Sequence, residues 1–167
     1  MSRPRDAKAA AKAIGEEVES LVIEAIPGLQ AAVDAEDWYD AVVTEIVGPR
    51  TCPELIFGGI AVLLPARKVE IKACKRRVSH GDRTRPGRWL LQIDQHERLV
   101  DAGAVYLLAV YGTTPDGETL EDMIAVPATL VDSHLRDNWY RVARHGGEVA
   151  QLAWLELIGR EVTGSGD

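Results

Sequence analysis

Cysteine is nearly absent from this sequence: Cys52 and Cys74 are the only two. That count excludes a disulfide framework, and the pair lacks the close spacing of a zinc or cluster motif. Both lie in stretches read as strand, so they are expected to be reduced core thiols of an intracellular, cytoplasmic protein. Long apolar runs are missing too. No stretch approaches the roughly 18 residues that span a bilayer. Nothing apolar follows the basic start MSRPRDAKAA, so neither a secretory leader nor a membrane partner is expected. Gly-rich phosphate loops are also missing, because FGGI and HGGE have neither the spacing nor the basic residue such loops need. There is no internal repeat, low-complexity tract or linker. The 167 residues, 46% hydrophobic and 27% charged, therefore read as one domain over 1–167 with a sizeable core.

Positive charge is scarce and unevenly placed. Five lysines and fourteen arginines stand against 26 acids, for a net charge of −7. Nine of the cations fall between Arg67 and Arg88, where the only acids are Glu70 and Asp82. That segment carries +7 and the rest of the chain −14. One cationic segment in an otherwise acidic chain points to a polyanionic partner, and nucleic-acid phosphates are the natural counter-charge.

The order of elements follows from periodicity. Residues 7 to 26 repeat apolar positions at three- and four-residue steps (Ala10, Ala11, Ile14, Val18, Leu21, Val22, Ile26) and stop at Pro27-Gly28, which predicts a helix. Residues 29 to 50 can continue as helix before a strand around 41–47. PELIFGG and GIAVLLPARKVEIKAC read as extended chain with a turn near Pro65-Ala66-Arg67, and SHGDRTRPG (79–87) as a polar loop. RWLLQI is a short strand, and DQHERLVDAG a helix with Asp94 as N-cap and Gly103 as its stop. AVYLLAVYG is apolar throughout, as in a strand covered on both faces. The set predicts an α/β sandwich with a mixed central sheet flanked by helices.

One of these strands carries chemistry. In KVEIKAC the residues Val69, Ile71 and Ala73 alternate with Lys68, Glu70 and Lys72, so Glu70 and Lys72 share a face. A carboxylate there can hold a hard divalent cation, and a neighbouring ammonium can stabilise a developing oxyanion or orient a water. A single carboxylate rarely suffices for magnesium. Glu54, sixteen residues upstream at the start of a preceding strand, would converge if the two strands were near neighbours.

Together these residues resemble the PD-(D/E)XK nuclease superfamily, with its restriction-endonuclease-like three-layer sandwich. Pro53-Glu54 corresponds to the PD element and Glu70-Ile71-Lys72 to the (D/E)XK element. The spacing of Gly15 and Glu19 is similar to that in archaeal Holliday-junction resolvase-like members, with Glu16 and Glu17 as competitors. Gln95 matches a glutamine on the helix after the third strand. The resemblance covers about residues 11–112 and leaves 113–167 unassigned.

It implies a metal-dependent endodeoxyribonuclease in which Glu19, Glu54 and Glu70 bind Mg2+, with Mn2+ able to substitute. Lys72 and Gln95 would act on water and phosphate. Lys75, Arg76, Arg77, Arg83, Arg85 and Arg88 would contact DNA phosphates without reading bases. A two-fold homodimer is expected for a branched substrate. His96 is read as a surface histidine, and Trp139 and Trp154 as core or dimer contacts. Because the family aspartate is glutamate at position 54, the alternative is an inactive DNA-binding or structural module of the same fold.

Overall fold

The computed structural model describes residues 4–34, 37–143 and 146–159. Helix α1 (Pro4–Ala25) buries Val18, Val22 and Ile26, with Ile14 and Ile23 beside them. Residues 6–13 are exposed, so Ala10 and Ala11 leave the expected apolar stripe and face solvent. Residues 29 to 50 are not further helix: β1 (Leu29–Ala31) and β2 (Ala41–Val43) pair antiparallel.

β3 (Leu55–Phe57) is followed by an irregular passage from 58 to 67 where extended chain was expected, tied by the isolated bridge Val47–Leu63. Positive φ at Gly59 and Ala66 breaks the extension there. The active-looking strand is β4 (Lys68–Lys75). Residues 79–87, read as a loop, belong largely to a hairpin of β5 (Arg77–His80) and β6 (Arg83–Pro86), turned at Gly81. Its alternation carries Arg, Ser and Thr in place of apolar residues, which hides it from a hydrophobic period.

Next come β7 (Arg88–Gln92) and α2 (Ile93–Asp101). Gln92, not Asp94, is the N-cap, and it makes no side-chain capping bond. Asp94 lies in the first turn, where its charge suits the helix dipole. The chain closes with β8 (Val105–Thr114), β9 (Gly117–Pro127), α3 (Ala128–Leu135), β10 (Tyr140–Val142), β11 (Gly147–Ala153) and α4 (Trp154–Ile158).

The main sheet has the order β1-β2-β4-β8-β9-β3 and is mixed: β4 runs parallel to β8 and β9 to β3, while the other pairs are antiparallel. Strict alternation along its central strands feeds two cores. Val69, Ile71, Leu107, Ala109, Met123 and Ala125 pack under α1. Tyr106, Leu108, Val110, Ile124 and Val126 pack against α2, α3 and the small sheet β10-β11-β7. These are three layers, and β8 is apolar and buried from Val105 to Val110, where both its faces are covered.

Gly87 lets β7 leave the hairpin close to β4. A Cβ there would stand 1.8 Å from the Lys75 carbonyl oxygen, so only glycine fits. Trp154 closes the same corner, its indole N–H donating to the Arg76 carbonyl at 2.8 Å. Cys52 and Cys74 are free and buried, though Cys52 lies in a loop. Among the described residues no helix is long and apolar enough to cross a membrane.

Candidate active site

β2 pairs with β4 over two positions only, Ala41–Val69 and Val42–Lys68. Past Val69 the two strands diverge, and Asp40 extends the ladder with its side chain. Its backbone N–H donates to the Val69 carbonyl at 2.9 Å, and its Oδ2 accepts the Ile71 N–H at 2.8 Å. The fork leaves a pocket of about 380 Å3 lined by Asp40, Glu70 and Lys72 from the sheet and by Lys12, Glu16 and Glu19 from α1.

Glu70 is 3% exposed and Lys72 half-buried beside it. The Lys72 ammonium stands 2.8 Å from Glu70 Oε1 and donates to Gln95 Oε1 at 3.0 Å. Gln95 in turn donates to the Trp38 carbonyl at 3.1 Å. Glu70 Oε2 is buried with no hydrogen-bond partner among the described residues. An unpaired buried carboxylate oxygen is costly unless a cation or proton satisfies it.

The carboxyls hold their protons unusually well. Burial pushes Glu70 up to about 7, Lys72 opposes the rise, and the Asp40 charge adds to it. Burial raises Asp40 as well, against the pull of the Ile71 N–H and Lys72. Glu19 rises to about 7, first through burial and then through Asp40 and Glu16. Burial of several carboxyls around one ammonium, with charge repulsion as the lesser cause at Glu70 and Glu19, marks a site that a cation would stabilise. Among the described residues, no three His, Cys, Asp or Glu side chains stand close enough together to hold a metal ion. The acids instead face one pocket, and hard oxygen donors around an orphaned Glu70 oxygen suit a hard divalent cation.

The structure thus brings Glu19, Glu70, Lys72 and Gln95 together. It does not bring Glu54 to them. Glu54 is exposed in the loop before β3, at the far edge of the sheet, with β8 and β9 between β3 and β4. It lines a different pocket with Glu121 and Asp122. The proline before it suggested the motif, but the strand it leads into does not neighbour β4. Asp40 takes the expected place instead. The available signal was an acid directly before the short apolar strand AVV. Of the other helix acids, Glu16 also lines the pocket, while Glu17 reaches toward Gly117.

The basic residues divide differently from the sequence expectation. Arg76 is bound to Glu121 and Asp122 and lies 4.7 Å from the Trp154 ring, so it ties β4 to β9 and is not free for phosphate. Lys75, Arg77, Arg83, Arg85 and Arg88 are exposed. The hairpin register puts Arg83 and Arg85 on one face with His80, and Arg77 on the other. His96 is fully buried, not a surface residue, and Trp139 packs against it with ring centroids 5.2 Å apart.

The family model for the PD-(D/E)XK nuclease superfamily domain matches residues 5–159. The chain belongs to this superfamily. Comparison with curated proteins and with solved structures finds no match. The superfamily match runs past residue 112 through β9, α3 and β11, beyond the stretch that the motifs alone covered. The mixed sheet flanked by helices is the restriction-endonuclease-like fold of PD-(D/E)XK nucleases. These nucleases typically use divalent metals, and the acid set around β4 is chemically suited to one.

Proposed function

We propose that the chain is a metal-dependent endodeoxyribonuclease whose site comprises Asp40, Glu70, Lys72 and Gln95, with Glu19 from α1. The observation that carries this reading is the fork between β2 and β4, where two raised carboxyls and an ammonium meet beside an unpaired buried oxygen. Asp40 and Glu70 would hold Mg2+, with Glu19 completing the set from the opposite wall and Mn2+ able to substitute. When bound, such a cation lowers the pKa of water and offsets charge on a phosphoryl group. Lys72 supplies the complementary part: Glu70 and Gln95 fix its ammonium, which then orients the attacking water or neutralises the non-bridging phosphate oxygens.

Lys75, Arg77, Arg83, Arg85 and Arg88 have no acidic partner among the described residues, in a chain where acids exceed bases by seven. Lys75 ends the same strand about 10 Å beyond Lys72 but on its other face, and the hairpin with Arg77, Arg83 and Arg85 follows it directly. This chain order, and not a shared face, supports DNA phosphates running from the site toward the hairpin. Preference for branched DNA and a two-fold homodimer belong to the same proposal and rest on the motif order, while the cytoplasmic setting is proposed from the two free thiols. The inactive-module alternative draws on glutamate at position 54 and on the acidic bulk charge. Asp40 beside Glu70 supports the enzyme reading against the first of these.

The test is cleavage of linear, supercoiled and four-way-junction DNA with and without Mg2+. Asp40→Asn, Glu70→Gln and Lys72→Ala should each lower cleavage by about a hundredfold or more. Glu54→Ala should cut as wild type does. Full cleavage by Asp40→Asn, or its loss in Glu54→Ala, would reverse the assignment.

A further inference from the structure

Beside the site runs a buried polar chain that the proposed chemistry does not use. His96 is 1% exposed on α2, directly after Gln95. Its Nδ1 lies 2.9 Å from the Tyr106 hydroxyl on β8, and its Nε2 lies 3.1 Å from Asp132 Oδ1 on α3. Tyr106 is also 1% exposed and is the register partner of Glu70 across the β4–β8 ladder. The Asp132 carboxylate accepts from Nε2–H, and in the neutral ring Nδ1 then accepts from the Tyr106 O–H. One imidazole thereby joins three elements: α2, β8 and α3.

The need for such a joint is visible in α2. Its first turn carries Gln95, yet Gln92 at the cap makes no side-chain bond, so no cap anchors that turn. Gln95 must nonetheless hold two bonds at once, from Lys72 Nζ at 3.0 Å and to the Trp38 carbonyl at 3.1 Å. We propose that Tyr106, His96 and Asp132 form a positioning array that fixes the first turn of α2, and through Gln95 the direction of the Lys72 ammonium. The proposal rests on the nuclease reading only for what Lys72 does to phosphate. Outer partners of this kind are worth about ten- to a hundredfold in activity where they orient a working group.

The variants suit the question. Tyr106→Phe keeps the buried ring and loses the donor. Asp132 is exposed, so Asp132→Ala removes the acceptor without opening the core, and Asp132→Asn keeps an acceptor oxygen. In the metal-free protein, nitrogen-15 NMR should find the His96 proton on Nε2 and a slowly exchanging Gln95 side-chain amide. Tyr106→Phe and Asp132→Ala should speed that exchange and lower single-turnover cleavage about tenfold with DNA affinity near wild type, and Asp132→Ala, at an exposed position, should keep Tm near wild type as well. Asp132→Asn should restore both readouts. An unmoved Gln95 amide in Asp132→Ala, or a rate loss that follows Tm, would overturn the array. A wild-type chain that cuts none of the DNAs would overturn the nuclease reading, while the Gln95 amide still supports or overturns the array.

Discussion

Glu70 shows how a single residue can be legible in its strand position and hidden in its surroundings. Its place beside Lys72 on one strand face follows from a two-residue period, and the contact is direct at 2.8 Å. The period says nothing about which acid stands opposite. That depends on where β2 parts from β4, which places Asp40, and not Glu54, beside Glu70. The buried acids also predict a pH response. In the metal-free protein Glu70 and Glu19 are held near 7, against 4.5 when free, so the native state keeps protons that the unfolded chain has lost. The stability this contributes is full below about pH 4.5 and is lost as pH rises through 7. Thermal melts in chelator should therefore show declining Tm across that window. Glu70→Gln should flatten the decline and gain on the order of 1–3 kcal/mol at pH 8. Millimolar Mg2+ should restore the wild-type Tm above pH 7 and leave Glu70→Gln unmoved. A Tm that climbs between pH 5 and 8 without metal would contradict the burial of these charges.

At the scale of elements, apolar strands were the readable ones. β8 is a run of buried residues, and only a strand covered on both faces needs that composition. The hairpin of β5 and β6 escaped notice because neither face is buried, so no hydrophobic period marks it. Its cations separate by contact. Arg76 spends its charge on Glu121 and Asp122, whereas Arg77, Arg83 and Arg85 face outward. Replacing those three with alanine should flatten the dependence of DNA affinity on salt by about three units on a log–log plot, one per lost phosphate contact. Fluorescence anisotropy with Glu70→Gln protein, expected to bind without cutting, gives the slope. Arg76→Ala should instead lower Tm and leave the slope in place. Equal slopes for wild type and the triple variant would put DNA on another face.

For the molecule as a whole, the part hardest to read in the sequence completes the second core. β11 pairs with β7 over five positions and sends Ala150 and Leu152, with Trp154 at the start of α4, into the cluster that holds Trp89, Leu91 and Tyr106. Its seven residues are interrupted by Glu148 and Gln151, and its partner lies some sixty residues earlier, so no local pattern ties the two. The long superfamily match agrees with a tail that belongs to the fold. If so, the chain ending at Trp139 should not fold. It would leave the β7 edge unpaired and expose Trp89 and Leu91, which are now fully buried. Even Trp154→Ala should cost about 3–5 kcal/mol, from lost burial and the lost bond to the Arg76 carbonyl. That is a large share of the roughly 5–15 kcal/mol that holds a domain together. Circular dichroism melts decide the point. The shortened chain should show no cooperative transition and Trp154→Ala a lowered one, whereas a shortened chain that melts as sharply as the intact one would make the second core dispensable.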